Sequence, residues 1–176
     1  MKITQTLIAS LLVLGGIGAA QAADGTGAYA GVNVGTPDYH GAVNGIQGSG
    51  SGVGAKIYGG YQFNKNFAVE GGYADLGHID NANGDVKTRD VYVDAVGILP
   101  VTDKISLTGS AGVAEARFTT SAGKDSSPGL KAGIGAQYQL TDKVALVSQY
   151  DYYHFTNAFD EKPNVGEFSV GVKVGF

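Results

Sequence analysis

Glu167-Phe168-Ser169-Val170-Gly171-Val172-Lys173-Val174-Gly175-Phe176 is the stretch on which the fold turns. Phe168, Val170, Val172, Val174 and Phe176 share one parity; Glu167, Ser169, Gly171, Lys173 and Gly175 share the other. Successive side chains of a β-strand point to opposite faces, so one face here is continuously apolar and the other polar or very small. A strand of a soluble sandwich shows the same alternation. What differs is the polar face, where two glycines beside a lysine suit a crowded, wet interior better than open solvent.

The same reading extends backwards through the chain. Leu130, Ala132, Ile134, Ala136, Tyr138 and Leu140 oppose Lys131, Gly133, Gly135, Gln137 and Gln139. Val144, Leu146, Ser148, Tyr150 and Tyr152 oppose Ala145, Val147, Gln149 and Asp151. Val91, Val93 and Ala95 oppose Tyr92, Asp94 and Val96; Val69, Gly71 and Tyr73 oppose Glu70 and Gly72; Ile57, Tyr61 and Phe63 oppose Lys56, Tyr58 and Gly60. Residues 28–35 and 105–115 carry weaker versions, which makes eight strands of about ten residues, the length that crosses a bilayer at a tilt. Their connections alternate. Asn64-Lys65-Asn66, residues 100–104 and Thr141-Asp142-Lys143 are short; residues 36–53, 76–89, 118–127 and 155–166 are long and polar. Asn83-Gly84 is placed to make the tight reversal of the second long connection. Lipid offers no partner for backbone amides, so strands that cross it must close into a barrel without edges. Tyr61, Tyr73, Tyr138, Tyr150, Tyr152, Phe168 and Phe176 are expected to form interfacial aromatic girdles.

Composition agrees with this and excludes much else. Of 176 residues 29 are Gly and none is Cys, so a disulfide scaffold, a thiolate metal site and a cysteine nucleophile are ruled out. A net charge of −4 gives no reason to expect a nucleic-acid partner. The N-terminus reads as an export signal: Lys2, an apolar run over 7–17, then Ala20-Gln21-Ala22. Cleavage after Ala22 is expected to leave a single barrel domain, residues 23–176. The apolar run is too short for a spanning helix.

The segments Ala28-Tyr29-Ala30-Gly31-Val32-Asn33-Val34-Gly35, Gly59-Gly60-Tyr61-Gln62-Phe63, Val69-Glu70-Gly71-Gly72-Tyr73-Ala74-Asp75-Leu76-Gly77, Leu99-Pro100-Val101-Thr102-Asp103 and the closing strand resemble, in order and spacing, the OmpA/OmpX-type small outer-membrane barrels. The resemblance implies an all-β fold, an eight-stranded antiparallel up-and-down transmembrane barrel in the bacterial outer membrane. It also implies that Phe176 is read by the barrel-assembly machinery, and that the barrel is monomeric in contact with lipid and lipopolysaccharide. The peptidoglycan-binding domain of larger members is not expected, so their wall-anchoring role is not carried over. The family's small barrels hold a charged network in the lumen. Glu70 occupies the inward parity where such a carboxylate belongs, and Lys56, Asp94, Gln137 and Gln149 are expected around it. Lys131, Asp151 and Lys173 are further inward candidates to partner Glu70. Asn33, Ser110, Gln137 and Gln149 stand where larger relatives are often charged.

Enzymatic and metal signals are weak. His154-Phe155-Thr156-Asn157, with Glu167 downstream, resembles the His-x-Ser-Asn stretch of barrel lipid A deacylases, but Thr156 replaces the serine nucleophile. Asp80-Asn81-Ala82-Asn83-Gly84-Asp85 puts Ala82 at a calcium-ligand position. His40, His78 and His154 fall in or beside different long connections without metal-ligand spacing. No cofactor, metal or catalytic residue is therefore expected. The favoured reading is a structural or interaction protein that presents four loops to surface ligands. The alternatives are a narrow channel lined by the luminal residues and a lipid A hydrolase.

Overall fold

The computed structural model describes residues 26–40, 53–81, 84–120, 123–155 and 164–176. Eight strands follow in order: β1 (Gly27–His40), β2 (Gly54–Asn64), β3 (Phe67–Asn81), β4 (Gly84–Pro100), β5 (Ile105–Thr120), β6 (Gly123–Gln139), β7 (Val144–Phe155) and β8 (Asn164–Gly175). Each pairs antiparallel with the next, and β1 pairs with β8, so the sheet is a closed up-and-down barrel as the alternation predicts. The export-signal reading of residues 1–22 lies outside the described residues.

Parity holds throughout. Ile134 is 70% exposed and Leu130 62%, whereas Lys131, on the inner parity of the same strand, is 2%. The exposed apolar side chains thus form the outer wall, and the interior takes in charged and polar side chains beside an apolar cluster that includes Leu76, Val96, Ile98, Phe155 and Val165. Expected girdle residues Tyr61, Tyr73, Tyr138, Tyr150, Tyr152 and Phe168 all face outward and exposed. Tyr61, Phe63 and Phe67 pack against one another at the short-turn end.

The strands are longer than expected, at 11–17 residues. Two of the long connections are mostly ladder: β3 pairs with β4 out to Asn81 opposite Gly84, and β5 with β6 out to Thr120 opposite Gly123. Gly84 begins β4, and Asn83 of the expected Asn83-Gly84 reversal lies outside the described residues. Beyond the lipid band no apolar face is needed, so the ladder continues through polar sequence that carries no alternation signal.

Two of the three short turns share one device. In Thr102-Asp103-Lys104 and Thr141-Asp142-Lys143 the threonine hydroxyl accepts backbone N–H groups two and three residues on: at 3.3 and 3.0 Å from Lys104 and Ile105, and at 3.3 and 3.1 Å from Lys143 and Val144. This is the hydroxyl-mediated turn that threonine offers a backbone.

Inward glycines make room for tyrosines. Gly60 lies opposite Tyr29, Gly31 opposite Tyr58, and Gly72 opposite Tyr92. A Cβ on Gly72 would stand 2.6 Å from the Tyr92 ring, and Gly31 and Gly60 are overlain by Tyr58 and Tyr29 in the same way. Each ring occupies the space a side chain on the facing glycine would need, which is how a small lumen holds three tyrosines.

Candidate functional site: the luminal charge network

Inward parity on six different strands brings together Lys56 (β2), Glu70 (β3), Asp94 (β4), Lys131 and Gln137 (β6), Gln149 and Asp151 (β7), and Lys173 (β8). Asp151 is the hub. It accepts from Lys56 Nζ at 2.5 Å, from Lys131 Nζ at 2.9 Å and from Gln149 Nε2 at 2.9 Å. Lys56 also donates to Gln149 Oε1 at 3.3 Å. Lys131 pairs in addition with Asp94, and its ammonium sits 4.3 Å from the centre of the Tyr92 ring. The two lysines and two aspartates are almost completely buried, so this is a closed ionic lattice whose charges are mutually compensated.

Glu70 lies beside that lattice rather than at its centre. Its carboxylate accepts from the hydroxyls of Tyr29 at 3.2 Å and Tyr92 at 3.1 Å. None of the five charged residues expected as its partners makes an ion pair with it among the described residues. The lysines are drawn instead to Asp151, which can take both of them. The tyrosines were missed as site residues; their signal was present in the inward parity of Tyr29, Tyr58 and Tyr92, each facing a glycine. Lys173 donates to Gln137 Oε1 at 2.5 Å and stands 4.9 Å from the Tyr29 ring centre. It roofs a vestibule of about 850 Å³ that Tyr29, Gln137, Lys143 and Phe176 help to line at the short-turn end. Asn33 donates to Ser169 at 3.3 Å.

Towards the long-loop end the lumen turns acidic. Asp90 and Glu167 are buried, and among the described residues none of their four carboxylate oxygens has a hydrogen-bond partner; nor have the hydroxyls of Thr88 and Tyr153.

The enzyme-like residues are not assembled. His154 is exposed on the outer face with Nδ1 2.6 Å from Asn164 Oδ1, whereas Glu167 points into the lumen, so the barrel wall separates them. Thr156 and Asn157 lie outside the described residues. Asp80 and Asp85 stand opposite each other at the end of the β3–β4 hairpin. Among the described residues no group of three or more His, Asp or Glu side chains is placed to hold a metal ion.

With this geometry in view, known proteins give a consistent picture. A family model described as outer membrane protein beta-barrel domain matches residues 8–176. Outer membrane protein A of Salmonella typhi is 32% identical over 169 residues, which is 84% of this chain and 48% of that protein. The chain thus spans about half the length of the curated relatives it matches. Among solved structures, Neisserial surface protein A superposes with a TM-score of 0.71 at 21% identity over 85% of this chain and 97% of its own. Ail, the attachment invasion locus protein of Yersinia pestis, in complex with the heparin analogue sucrose octasulfate, gives 0.55 at 21% identity over 85% and 99%.

Proposed function

Because this chain belongs to the outer membrane protein beta-barrel domain family, we propose that it works as a closed, monomeric scaffold carrying four loops to the cell surface. Its place in the bacterial outer membrane follows from family membership. The observation that carries the scaffold reading is the filled lumen. Lys56, Asp151, Lys131 and Asp94 bond across it, and Tyr29, Tyr58 and Tyr92 occupy the space around them. An eight-stranded barrel is just wide enough for its own side chains, and here they meet. With the interior taken up, contact with the environment falls to the loops on the rigid wall, where binding function is commonly held. In this reading residues 1–22 are an export signal cut after Ala22, and Phe176 presents the terminal aromatic to the barrel-assembly machinery. Lipopolysaccharide surrounds the outer half of the wall.

Planar-bilayer recording of the purified barrel tests the scaffold: no sustained conductance steps are expected, and a stable open level would overturn it. One observation favours a gated path as the second reading. The vestibule at the short-turn end reaches inward to Tyr29, Gln137 and Lys173, and in this second reading breaking the ionic lattice would be the gating event. Conductance that appears on Asp151→Asn alone, with wild type silent, would favour this second reading.

A further inference from the structure

Six oxygen atoms towards the long-loop end of the lumen are buried without a hydrogen-bond partner among the described residues. They are both carboxylate oxygens of Asp90 and of Glu167, and the hydroxyls of Thr88 and Tyr153. None of the four residues is more than 1% exposed. They come from three strands. Thr88 and Asp90 share the inward face of β4, about 7 Å apart along the strand. Tyr153 on β7 is a diagonal neighbour of Glu167 on β8, because Asp151 pairs with Glu167 and Tyr153 with Val165. The cross-strand partners of Asp90 are Ala74 and Ala116, so neither neighbour offers its carboxylate a polar group. Across the lumen, the charge that acts most strongly on Asp90 is Glu167, and the one that acts most strongly on Tyr153 is Asp90. The four side chains thus converge on one region from opposite walls. Glu167 is seated there by a glycine: a Cβ on Gly54 would stand 2.8 Å from its Oε1 and 3.1 Å from the backbone carbonyl oxygen of Asp75.

The charge of this region has no answer among the described side chains. Lys56 and Lys131 are bonded to Asp151 and Asp94, and Lys173 acts on Glu70. Lys56 and Lys131 act on Glu167 as well, but neither reaches it. Asp90 and Glu167 are the inward carboxylates left over, and they leave the described lumen at −2. An ionised carboxylate buried without a partner is driven to take up a proton or a cation. Two observations favour the cation. Protonated carboxyls would donate to one another or to the hydroxyls, yet none of the six oxygens bonds to another. Oxygens gathered around a calcium ion, at about 2.3–2.6 Å from it, face the ion instead of each other. The donor set is also all oxygen, which suits a hard cation. Two carboxylates alone make no cage, and the hydroxyls supply the further oxygens.

We propose that Asp90, Glu167, Thr88 and Tyr153 form a luminal site for one hard divalent cation, with water completing its coordination. The ion ties β4 to β7 and β8 across the barrel. It does towards the long-loop end what the lysines do for Asp94 and Asp151 further in.

The full chain is refolded in zwitterionic detergent, stripped with EDTA and checked for heat-modifiable mobility. Calcium and magnesium chlorides are then titrated separately by calorimetry at mildly alkaline pH, with thermal midpoints read in parallel. Calcium or magnesium is expected to bind one-to-one and to raise the midpoint. Asp90→Asn/Glu167→Gln is expected to weaken that binding at least about a hundredfold and to abolish the rise, and Thr88→Val to weaken it about tenfold. Gly54→Ala keeps both carboxylates but displaces one, so it too should weaken binding. Asp80→Asn/Asp85→Asn removes the same charge at the end of the β3–β4 hairpin and is expected to change nothing. Equal binding by a folded Asp90→Asn/Glu167→Gln barrel, or equal loss in the hairpin variant, would overturn the site. A folded wild type that binds neither ion would overturn it too, and would leave the scaffold reading standing.

Discussion

Asp151 and Glu167 are neighbours across β7 and β8, both buried carboxylates, yet they face opposite energetic situations. Asp151 compensates two lysines. Its replacement by asparagine leaves Lys56 without a carboxylate in a desolvated interior and Lys131 with Asp94 alone, a loss of about 3–5 kcal/mol for a broken buried pair. Urea unfolding of the barrel in lipid vesicles should register this as a large fall in midpoint. Asp90 and Glu167 have no hydrogen-bond partner among the described residues, so their charge is a cost to the fold. In chelator, Asp90→Asn and Glu167→Gln are accordingly expected to leave the midpoint unchanged or raise it, and a fall as large as that of Asp151→Asn would contradict this. Glycines divide in the same manner. A Cβ at Gly72 meets the Tyr92 ring at 2.6 Å, whereas one at Gly71 meets ordinary contacts at 3.5 and 3.9 Å on the outer face. Gly72→Ala should lower the folded fraction seen as heat-modifiable mobility. Gly71→Ala should be neutral or stabilise by about 0.5–1 kcal/mol, through the reduced freedom of the unfolded chain.

At the level of elements, the short turns were legible from local sequence and the long-loop ends were not. Thr102 and Thr141 each satisfy two backbone donors within three residues, a purely local arrangement that the Thr-Asp-Lys spelling announces. Thr102→Ala and Thr141→Ala should each cost about 0.5–1.5 kcal/mol. The double variant should show their sum, because the two turns are independent sites. Chemical denaturation of the single and double variants checks both points. The extension of β3–β4 and β5–β6 past the apolar band left no such trace. Asp75, Arg89, Arg117 and Ser126 face water or headgroups whichever way the ladder runs, so hydrophobic periodicity has nothing to record there.

For the whole molecule, closure is what converts eight independent alternations into an interior. The Lys56–Asp151 contact joins residues 95 positions apart, and Lys131–Asp94 spans 37. Shielded from solvent ions, this lattice should keep its contribution as salt is raised, so the urea midpoint should change little between low and 1 M salt. A midpoint that dropped steeply with salt would show the lattice open to solvent. By itself the sequence determined the strand count, the inward and outward face of each strand, and which residues enter the lumen, because a period of two depends only on the chain's own geometry. Only the tertiary structure decided that Lys56 and Lys131 share Asp151, that Glu70 is held by tyrosines, and that the two arginines meet on the outer wall. Those pairings depend on the register between strands and the stagger at which the β1–β8 seam closes, quantities no single strand encodes.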